Sequence, residues 1–357
     1  MRGLKWHCVM GSRLRGNDKV VAVALLASAI ACEAINLAHA QTYPTKPIRL
    51  VVPFAPGGST DLIARIIGQE LEKSWKQTVI VENRPGASGN IGAREVARAA
   101  ADGSVLLMVN SAFAINPGVY RQLDFDPLRD FRAVFNAGTI ASVLVQPPER
   151  AVQKSAAEDS ATQDSAVAVG TPSLTEALAP SADGAAPAIA SCGNGTPQHM
   201  AAEMLAQATH ARLQHVPYKG CGPAALAVAA GQVPVGVVTI STAAPLIADG
   251  RLRALAVTGR QRSAQLAGVP TLVELGVADF AVEQWHGLLA PAATPAPVID
   301  RLHRLLAQIL AEPEMQQALR EQGYVPGRES AAQFGQLIAA DMARYAAVTA
   351  QLGLKVD

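Results

Sequence analysis

Charge is scarce in this 357-residue chain: 17% of residues are Asp, Glu, Lys or Arg, and the formal net charge is +1. Aromatic residues make up 4%, and no cluster of Lys or Arg lies outside the first 19 residues. The electrostatic footprint that nucleic acid requires is therefore missing, and nucleic acid is excluded as a partner. The apolar run Val20 to Ala31 has 12 residues, short of the roughly 20 that cross a bilayer. The patterns C-x-x-C, H-E-x-x-H, G-x-S-x-G and G-x-x-x-x-G-K-[ST] do not occur, which removes the common metal, hydrolase and nucleotide signatures. Nor does any carboxylate pair or Ser/His/Asp spacing offer a catalytic constellation, so no catalytic residue, metal or cofactor is expected.

Cysteine is equally sparse. Of four, Cys8 and Cys32 fall in the first 40 residues, and Cys192 and Cys221 are separated by 28 residues. A disulfide and two separate buried thiols both remain open on that spacing. What the chain does have is apolar bulk, 50% of its residues. At about 150 residues per domain, its length suggests two globular domains with cores of their own. Disorder, collagen and coiled coil are excluded.

Residues 1–40 read as a secretory signal. Arg2, Lys5, Arg13, Arg15 and Lys19 form a basic start, Val20 to Ala31 the apolar stretch, and Ala38-His39-Ala40 a cleavage site before Gln41. Met10 is an alternative start. Ala29-Ile30-Ala31-Cys32 competes as a lipobox, although Leu is missing from its first position. Removing this segment leaves 25 basic against 27 acidic residues, a slightly acidic exported protein.

From Ile48 one unit repeats. Ile48 to Phe54 predicts a strand ending at Ala55-Pro56-Gly57-Gly58-Ser59-Thr60-Asp61, and Leu62, Ile63, Ile66, Ile67 and Leu71 then recur at helical spacing. Thr78 to Val81 predicts a second strand, Asn83 to Gly89 a second glycine loop, and Asn90 the cap of the next helix. Val105 to Val109 is a third strand, ending in Asn110 and Ser111. A second block follows the same plan. Ala188 to Ser191 leads into Gly193-Asn194-Gly195, with Thr196 as cap and Pro197 at the first helical position. Leu213 to Val216 leads into Tyr218-Lys219-Gly220-Cys221-Gly222, and Val233 to Ile240 and Leu252 to Thr258 are further strands. Alternating strands and helices predict an α/β fold with mostly parallel sheets flanked by helices, and ligands bind at the carboxyl edge of such sheets.

Between the blocks, residues 147–186 are low in complexity and rich in Ala, Ser, Pro and Asp, and read as a flexible surface segment. After Thr258 the chain should end in helices: one capped by Thr294, a short one stopped by Gly323, and a last one opened by the Ser330-x-x-Gln333 capping box. Arg301, Arg304 and Arg344 on these helices read as solvated surface.

Gly57-Gly58-Ser59-Thr60 at a helix N-terminus presents free backbone N–H groups at the positive end of a helix dipole, an anion site without a charged side chain. An ordinary βα turn, with Gly at positive φ and Ser or Thr as cap, uses the same residues. The repetition of such loops in both blocks favours a shared cleft. His199, in the first turn of its helix, suits a neutral hydrogen-bonding role better than that of a base. Lys219 is a candidate anion contact.

At Val52-Pro53-Phe54-Ala55-Pro56-Gly57-Gly58-Ser59-Thr60-Asp61 the sequence resembles the Bug family, the TctC-type periplasmic solute receptors of tripartite tricarboxylate transporters. The likeness continues through Glu82-Asn83-Arg84-Pro85-Gly86-Ala87-Ser88-Gly89, Gly193-Asn194-Gly195-Thr196, Tyr218-Lys219-Gly220, Leu252 to Thr258 and Gly287-Leu288-Leu289-Ala290-Pro291. It spans residues 43–357 apart from the low-complexity segment. The resemblance implies a two-lobed periplasmic binding protein (Venus-flytrap) fold, with lobe 1 built from residues 41–140 and 263–357, lobe 2 from 141–262, and hinges near residues 140 and 262. It implies a monomeric periplasmic receptor that holds a small carboxylate between the lobes, largely through backbone amides, and delivers it to membrane permease subunits. Carried onto matching positions, the ligand contacts are Phe54, Ala55, Gly57, Gly58, Ser59, Thr60, Asp61, Ser88, Ser111, Asn194, Thr196 and Lys219. The chain departs from the family pattern at Cys221, where Ser or Thr is usual, at Thr239, where a Phe-Asp pair is common, and over Pro147 to Ala190. A ligand-sensing receptor for a signalling partner and a secreted enzyme are the alternatives that use the same cleft.

Overall fold

The computed structural model describes residues 43–148, 174–181 and 183–355. The segment 1–40 read as a secretory signal, the Met10 and Cys32 alternatives and most of the segment 147–186 lie outside the described residues. The elements below all belong to the unit Pro44–Asp357. Among the described residues no helix is long and apolar enough to cross a membrane.

The expected strand, loop and helix units form. Ile48–Val52 (β1) feeds Ser59–Trp75 (α1), Val79–Asn83 (β2) feeds Asn90–Ala97 (α2), and Val105–Asn110 (β3) feeds Ala112–Val119 (α3). The long strand Phe131–Gln146 (β4) leads away, and Leu174–Ala177 (α4) is a single turn. Ala188–Ser191 (β5), Pro197–Thr209 (α5), Gln214–Pro217 (β6), Cys221–Ala229 (α6), Val235–Thr239 (β7), Ile240–Ala248 (α7) and Arg253–Val257 (β8) make the second block. Glu283–Pro291 (β9), Ala296–Ala311 (α8), Pro313–Glu321 (α9), Tyr324–Pro326 (β10) and Ala331–Gln351 (α10) complete the chain.

The strands run in the order β2-β1-β3-β9-β4-β7-β5-β6, with β8 and β10 also pairing with β4. Parallel pairing holds on both flanks, where β1 lies between β2 and β3, and β5 between β6 and β7. The middle is antiparallel, a correction to the expectation of mostly parallel sheets. β4 and β9 carry the chain between the two halves instead of returning through a crossover on one sheet, and a parallel neighbour needs such a crossover, usually a helix. β4 serves both halves in turn. It pairs with β9 as far as Ala141, opposite Glu283, and with β7 from Ser142, opposite Thr239.

Two apolar cores lie on either side of that switch. Val51, Leu107, Phe113, Trp285, Leu289 and Phe334 centre the first. A Cβ on Gly287 would overlap the Phe334 ring, so only glycine lets α10 seat on β9. Leu144, Ile189, Leu205, Val237 and Ala256 centre the second, which Leu272, Val277, Phe280 and Val282 also join. Leu178, four residues after Leu174, is buried in this second core. Leu174, Ala177 and Leu178 thus anchor this short turn on the core through one helical face, while Ala179 to Ser181 and Asp183 to Ala185 are exposed.

The Ser330–Gln333 capping box and the Thr196 cap form as expected. Two caps do not. Asn90 is the first residue of α2, behind a cap at Gly89 (φ 98°), and its Oδ1 accepts from Asn116 Nδ2 at 2.7 Å instead. Pro295 occupies the cap position of α8, one residue after Thr294, and makes no side-chain cap.

Candidate functional site

Three helix N-termini converge on one small cavity. The chain enters α1 through Gly58, and the first hydrogen bond of that helix runs from Leu62 N to Gly58 O. The amides of Gly58, Ser59 and Thr60 therefore lie ahead of the helical ladder. α5 begins after Thr196, whose Oγ1 accepts from His199 N and donates to Gly193 O. α6 begins after Gly220, at φ 130°, with no side-chain cap. Phe54, Ala55, Gly58, Ser59, Thr60 and Asn110 from one half, and Cys192, Thr196, Gln198, Gly220 and Cys221 from the other, enclose an inner cavity of about 20 Å³. Among the described residues no charged side chain lines it. Its mouth is a cavity of about 210 Å³ that shares Phe54 and Cys192 with it and adds Ser88, Asn194 and Lys219.

Nine of the twelve expected contacts thus line one cavity or the other, and Gly57, Asp61 and Ser111 do not. Asp61 is 4% exposed and holds the loop from behind. Its carboxylate accepts from Gly57 N at 3.0 Å, from Arg65 through two bonds and from Asn83 Nδ2 at 2.9 Å. Burial raises its pKa, but these donors outweigh burial and hold it below the usual carboxylate value. The Gly57 amide is consequently spoken for. Ser111 is fully buried, ahead of α3, and its Oγ has no hydrogen-bond partner among the described residues.

The hydroxyls of Ser59 and Thr60 also turn inward. Thr60 Oγ1 accepts from Asn110 Nδ2 at 3.0 Å, and Ser59 Oγ lies 3.0 Å from both Gln284 Nε2 and His286 Nε2. Their backbone amides, ahead of the helical ladder, belong to residues that line the cavity. Behind them Gln198, Ser142, Gln284 and His286 form a buried polar chain, and the Tyr324 hydroxyl donates to Ser59 O at 2.8 Å. Burial alone lowers the pKa of His286 to about 3, so this ring is neutral at neutral pH.

The two halves touch at the mouth. Ser88 donates its hydroxyl to Asn194 O and accepts from the Tyr120 hydroxyl at 3.2 Å, while Asn116 Nδ2 donates to Ser88 O at 2.9 Å. Ala87 and Ser88 have φ of 46° and 51°, a left-handed turn that costs non-glycine residues energy and aims Ser88 across the cleft. On the far wall Cys192 and Cys221 form a disulfide with Cα atoms 4.4 Å apart, which settles the alternatives left open by their spacing. It ties the loop after β5 to the start of α6.

One group of metal-ligating side chains converges among the described residues: His199, Glu203 and His215. Gly195 N donates to His199 Nδ1 at 3.1 Å, so a neutral His199 carries its proton on Nε2, 3.5 Å from Glu203 Oε1. A metal ion at Nε2 would have to displace that proton and break the Gly195 contact. The chemistry of the donors therefore fits a hydrogen-bonded histidine rather than a metal ligand.

Asn116, Tyr120, Ser142, Gln198, Gln284, His286 and Tyr324 escaped sequence reasoning. Gln198 alone carried a signal, two residues beyond a recognised cap; the rest meet their partners across long stretches of chain.

An α/β protein with two cores joined by crossing strands, and with helix N-termini aimed into the cleft between them, is a two-lobed periplasmic binding protein. The profile of the tripartite tricarboxylate transporter family receptor, TctC, matches residues 63–159 and 179–354. Protein BugT of Bordetella pertussis is 32% identical over 319 residues, which cover 89% of this chain and 92% of BugT. The periplasmic binding protein BugD superposes with a TM-score of 0.75 at 28% identity, over 88% of this chain and all of BugD. An R. palustris protein solved with adipate gives a TM-score of 0.78 at 27% identity, over 88% of this chain and 100% of its own. This chain belongs to the TctC family of tripartite tricarboxylate transporter receptors.

Proposed function

We propose that this receptor captures a small carboxylate between its lobes, in the periplasm, and delivers it as a monomer to the membrane permease of a tripartite transporter, without chemical turnover. The observation that carries the reading is the convergence of the N-termini of α1, α5 and α6 on a cavity with no charged lining. Their amides and dipoles stabilise an anion there without the desolvation cost of a buried lysine or arginine. Lys219 at the mouth adds a positive charge for a second carboxylate. The relative that holds adipate supports a dicarboxylate of this size.

Lobe 1 is assigned to residues 41–140 together with the C-terminal part, and lobe 2 to the segment that starts at residue 141. The pairing of β4 supports the first crossing at Ala141 and Ser142. Packing of Leu272, Val277, Phe280 and Val282 in the second core favours a return crossing at Val282 and Glu283 over one near residue 262. Export is assigned to cleavage after Ala40, and the intact mass of periplasmic protein tests it.

Calorimetric titration with mono-, di- and tricarboxylates tests the function, with NMR of the recovered ligand as the check on turnover. Saturable binding of an unchanged acid is the expected result. A consumed acid would make the protein an enzyme, and no binding across the panel would remove the carboxylate.

A further inference from the structure

We infer that a second cavity, at the strand crossings, binds a small amphiphilic acid, its anionic head among Arg260, Arg320 and Arg328 and its apolar body along the last turns of α8. This site is separate from the carboxylate cleft and goes beyond the function proposed above.

The cavity measures about 760 Å³, within the roughly 300–1,000 Å³ of sites for small organic ligands. Ala141 and Glu283 line it at the two crossings, together with the loop 260–264 after β8, with α9 and with β10. It shares no lining residue with the inner cavity or its mouth. Tyr324 connects the two: it lines this cavity, and its hydroxyl donates at 2.8 Å to the carbonyl of Ser59, which lines the inner one.

Four arginines line this cavity against two glutamates, in a chain whose net charge is +1. Arg262 is committed to Glu274 by two bonds of 3.0 and 2.9 Å. Arg260, Arg320 and Arg328 pair with no carboxylate among the described residues, and Arg320 Nη1 donates to the neutral Gln316 Oε1 at 3.3 Å. By contrast Arg49, Arg65, Arg84, Arg94 and Arg344 each hold a carboxylate. The two glutamates of the cavity are placed otherwise. Glu329 accepts from Asn136 Nδ2 at 3.1 Å and from Arg328 N at 2.9 Å, and Glu283 Oε1 lies against Gly259, where a Cβ would meet it at 2.7 Å. Three guanidinium groups therefore keep their donor forks for the oxygens of a carboxylate or phosphate.

The apolar part of the ligand follows from a neighbouring space. A cavity of about 280 Å³ shares Gln316, Pro326, Arg328 and Glu329 with the first, and Phe135, Ala307, Leu310 and Ala311 make its apolar wall. Val325, 71% exposed, adds an apolar side chain to the lining of the larger cavity. A bare inorganic anion leaves that wall in water, whereas an acid with an alkyl body covers it while its head meets the arginines. The cationic and apolar linings meet at Arg328, so one ligand spans both.

Calorimetry with butanoate, hexanoate and octanoate tests this on Gly58→Val, whose cleft is blocked under the carboxylate reading. Octanoate should bind at one site, at least about tenfold more tightly than butanoate, and more weakly as salt rises. Replacing Arg320 and Arg328 together by Gln should cost octanoate at least about tenfold, while Arg304→Gln, at an exposed position of α8 outside both cavities, should cost nothing. Ala307→Glu sets a polar side chain against the apolar wall and should weaken octanoate more than butanoate. Equal affinities for the three acids, or a double arginine variant that binds octanoate like its parent, would overturn the inference. No saturable octanoate binding to Gly58→Val would overturn it too, with the cleft reading untouched. Octanoate held through Arg320 and Arg328 by a protein whose cleft takes no carboxylate would leave this site standing and remove the cleft reading alone.

Discussion

The backbone N–H of Gly195 donates to Nδ1 of His199 at 3.1 Å, and so ties the glycine loop of the second lobe to a ring that accepts only while Nδ1 is unprotonated. His215 stacks on that ring at 3.9 Å and reaches Ser191 Oγ at 2.6 Å. The Gly193–Gly195 loop is thus braced by a pair of histidines in contact.

Stability should fall in mild acid. Burial first, and then the neighbouring His199, lower the pKa of His215 from 6.5 to about 4, and burial takes His286 to about 3. With folded values below the unfolded one, the unfolded chain binds more protons below pH 6.5. The stability these rings contribute is complete above pH 6.5 and is lost as the pH falls toward 4 and 3, by at most about 1.4 kcal/mol per pH unit for each. Urea midpoints should drop between pH 7 and 4.5, and His215→Gln should drop less. Identical slopes would take His215 out of the explanation.

Adjacent glycines in the first loop should respond differently. Gly57 has φ 83°, so Gly57→Ala should cost about 1–2 kcal/mol of stability through a left-handed alanine. Gly58 has φ −88°, and a Cβ there would meet only Ala55 O at 3.8 Å. Gly58→Val should therefore fold with a loss of about 0.5 kcal/mol or less, as for a surface change without strain. Gly58 nonetheless lines the inner cavity, so carboxylate affinity should fall at least about tenfold. Titration of the folded variant checks this, and unchanged affinity would remove the first loop from the site.

The Cys192–Cys221 disulfide closes a loop with a sequence separation of 29 residues, for which chain entropy predicts about 3–4 kcal/mol of stabilisation. Replacing both cysteines by serine should lower the unfolding free energy by up to that amount. Because both cysteines line the inner cavity, affinity should fall as well, mainly through faster dissociation. Native protein that reacts with a thiol reagent at both positions would show the bond unformed.

The parts read correctly from the sequence were local. Glycine loops after β-rich runs, the Thr196-Pro197 start and the Ser330–Gln333 box are each written within about ten residues, and the backbone has little choice there. What escaped depends on distant partners. Ser59 and Gln284 are 225 positions apart, and Ser142 and Gln198 are 56 apart, so no spacing links them. Asp61 matched the binding motif by position, yet its side chain holds Gly57 from behind, a distinction of direction that sequence does not encode. The antiparallel middle is hidden for a similar reason: the sequence reading places no strand over Phe131–Gln146 or Glu283–Pro291, with helices expected after Thr258, and these two strands find their partners only across the chain.

The lobes should part and close about Ala141–Ser142 and Val282–Glu283. In the arrangement described, Ser88 reaches Asn194 across the mouth and the inner cavity measures about 20 Å³. That is room for about one water-sized group, whereas sites for small organic ligands measure roughly 300 Å³ or more. A multi-carbon acid therefore has to be admitted by separating the Ala55–Gly58 loop of one lobe from the Gly220–Gly222 loop of the other. Closure then exchanges its water for fixed amide dipoles. Small-angle scattering should give a smaller radius of gyration with saturating carboxylate than without it, and Gly58→Val should give the same value in both conditions. Hydrogen exchange at the two crossings should slow on binding. If a tightly bound acid changes neither the scattering nor the exchange at these strands, the cleft does not work by lobe closure, and ligand entry must be sought in movement of the Ala87–Ser88 turn alone.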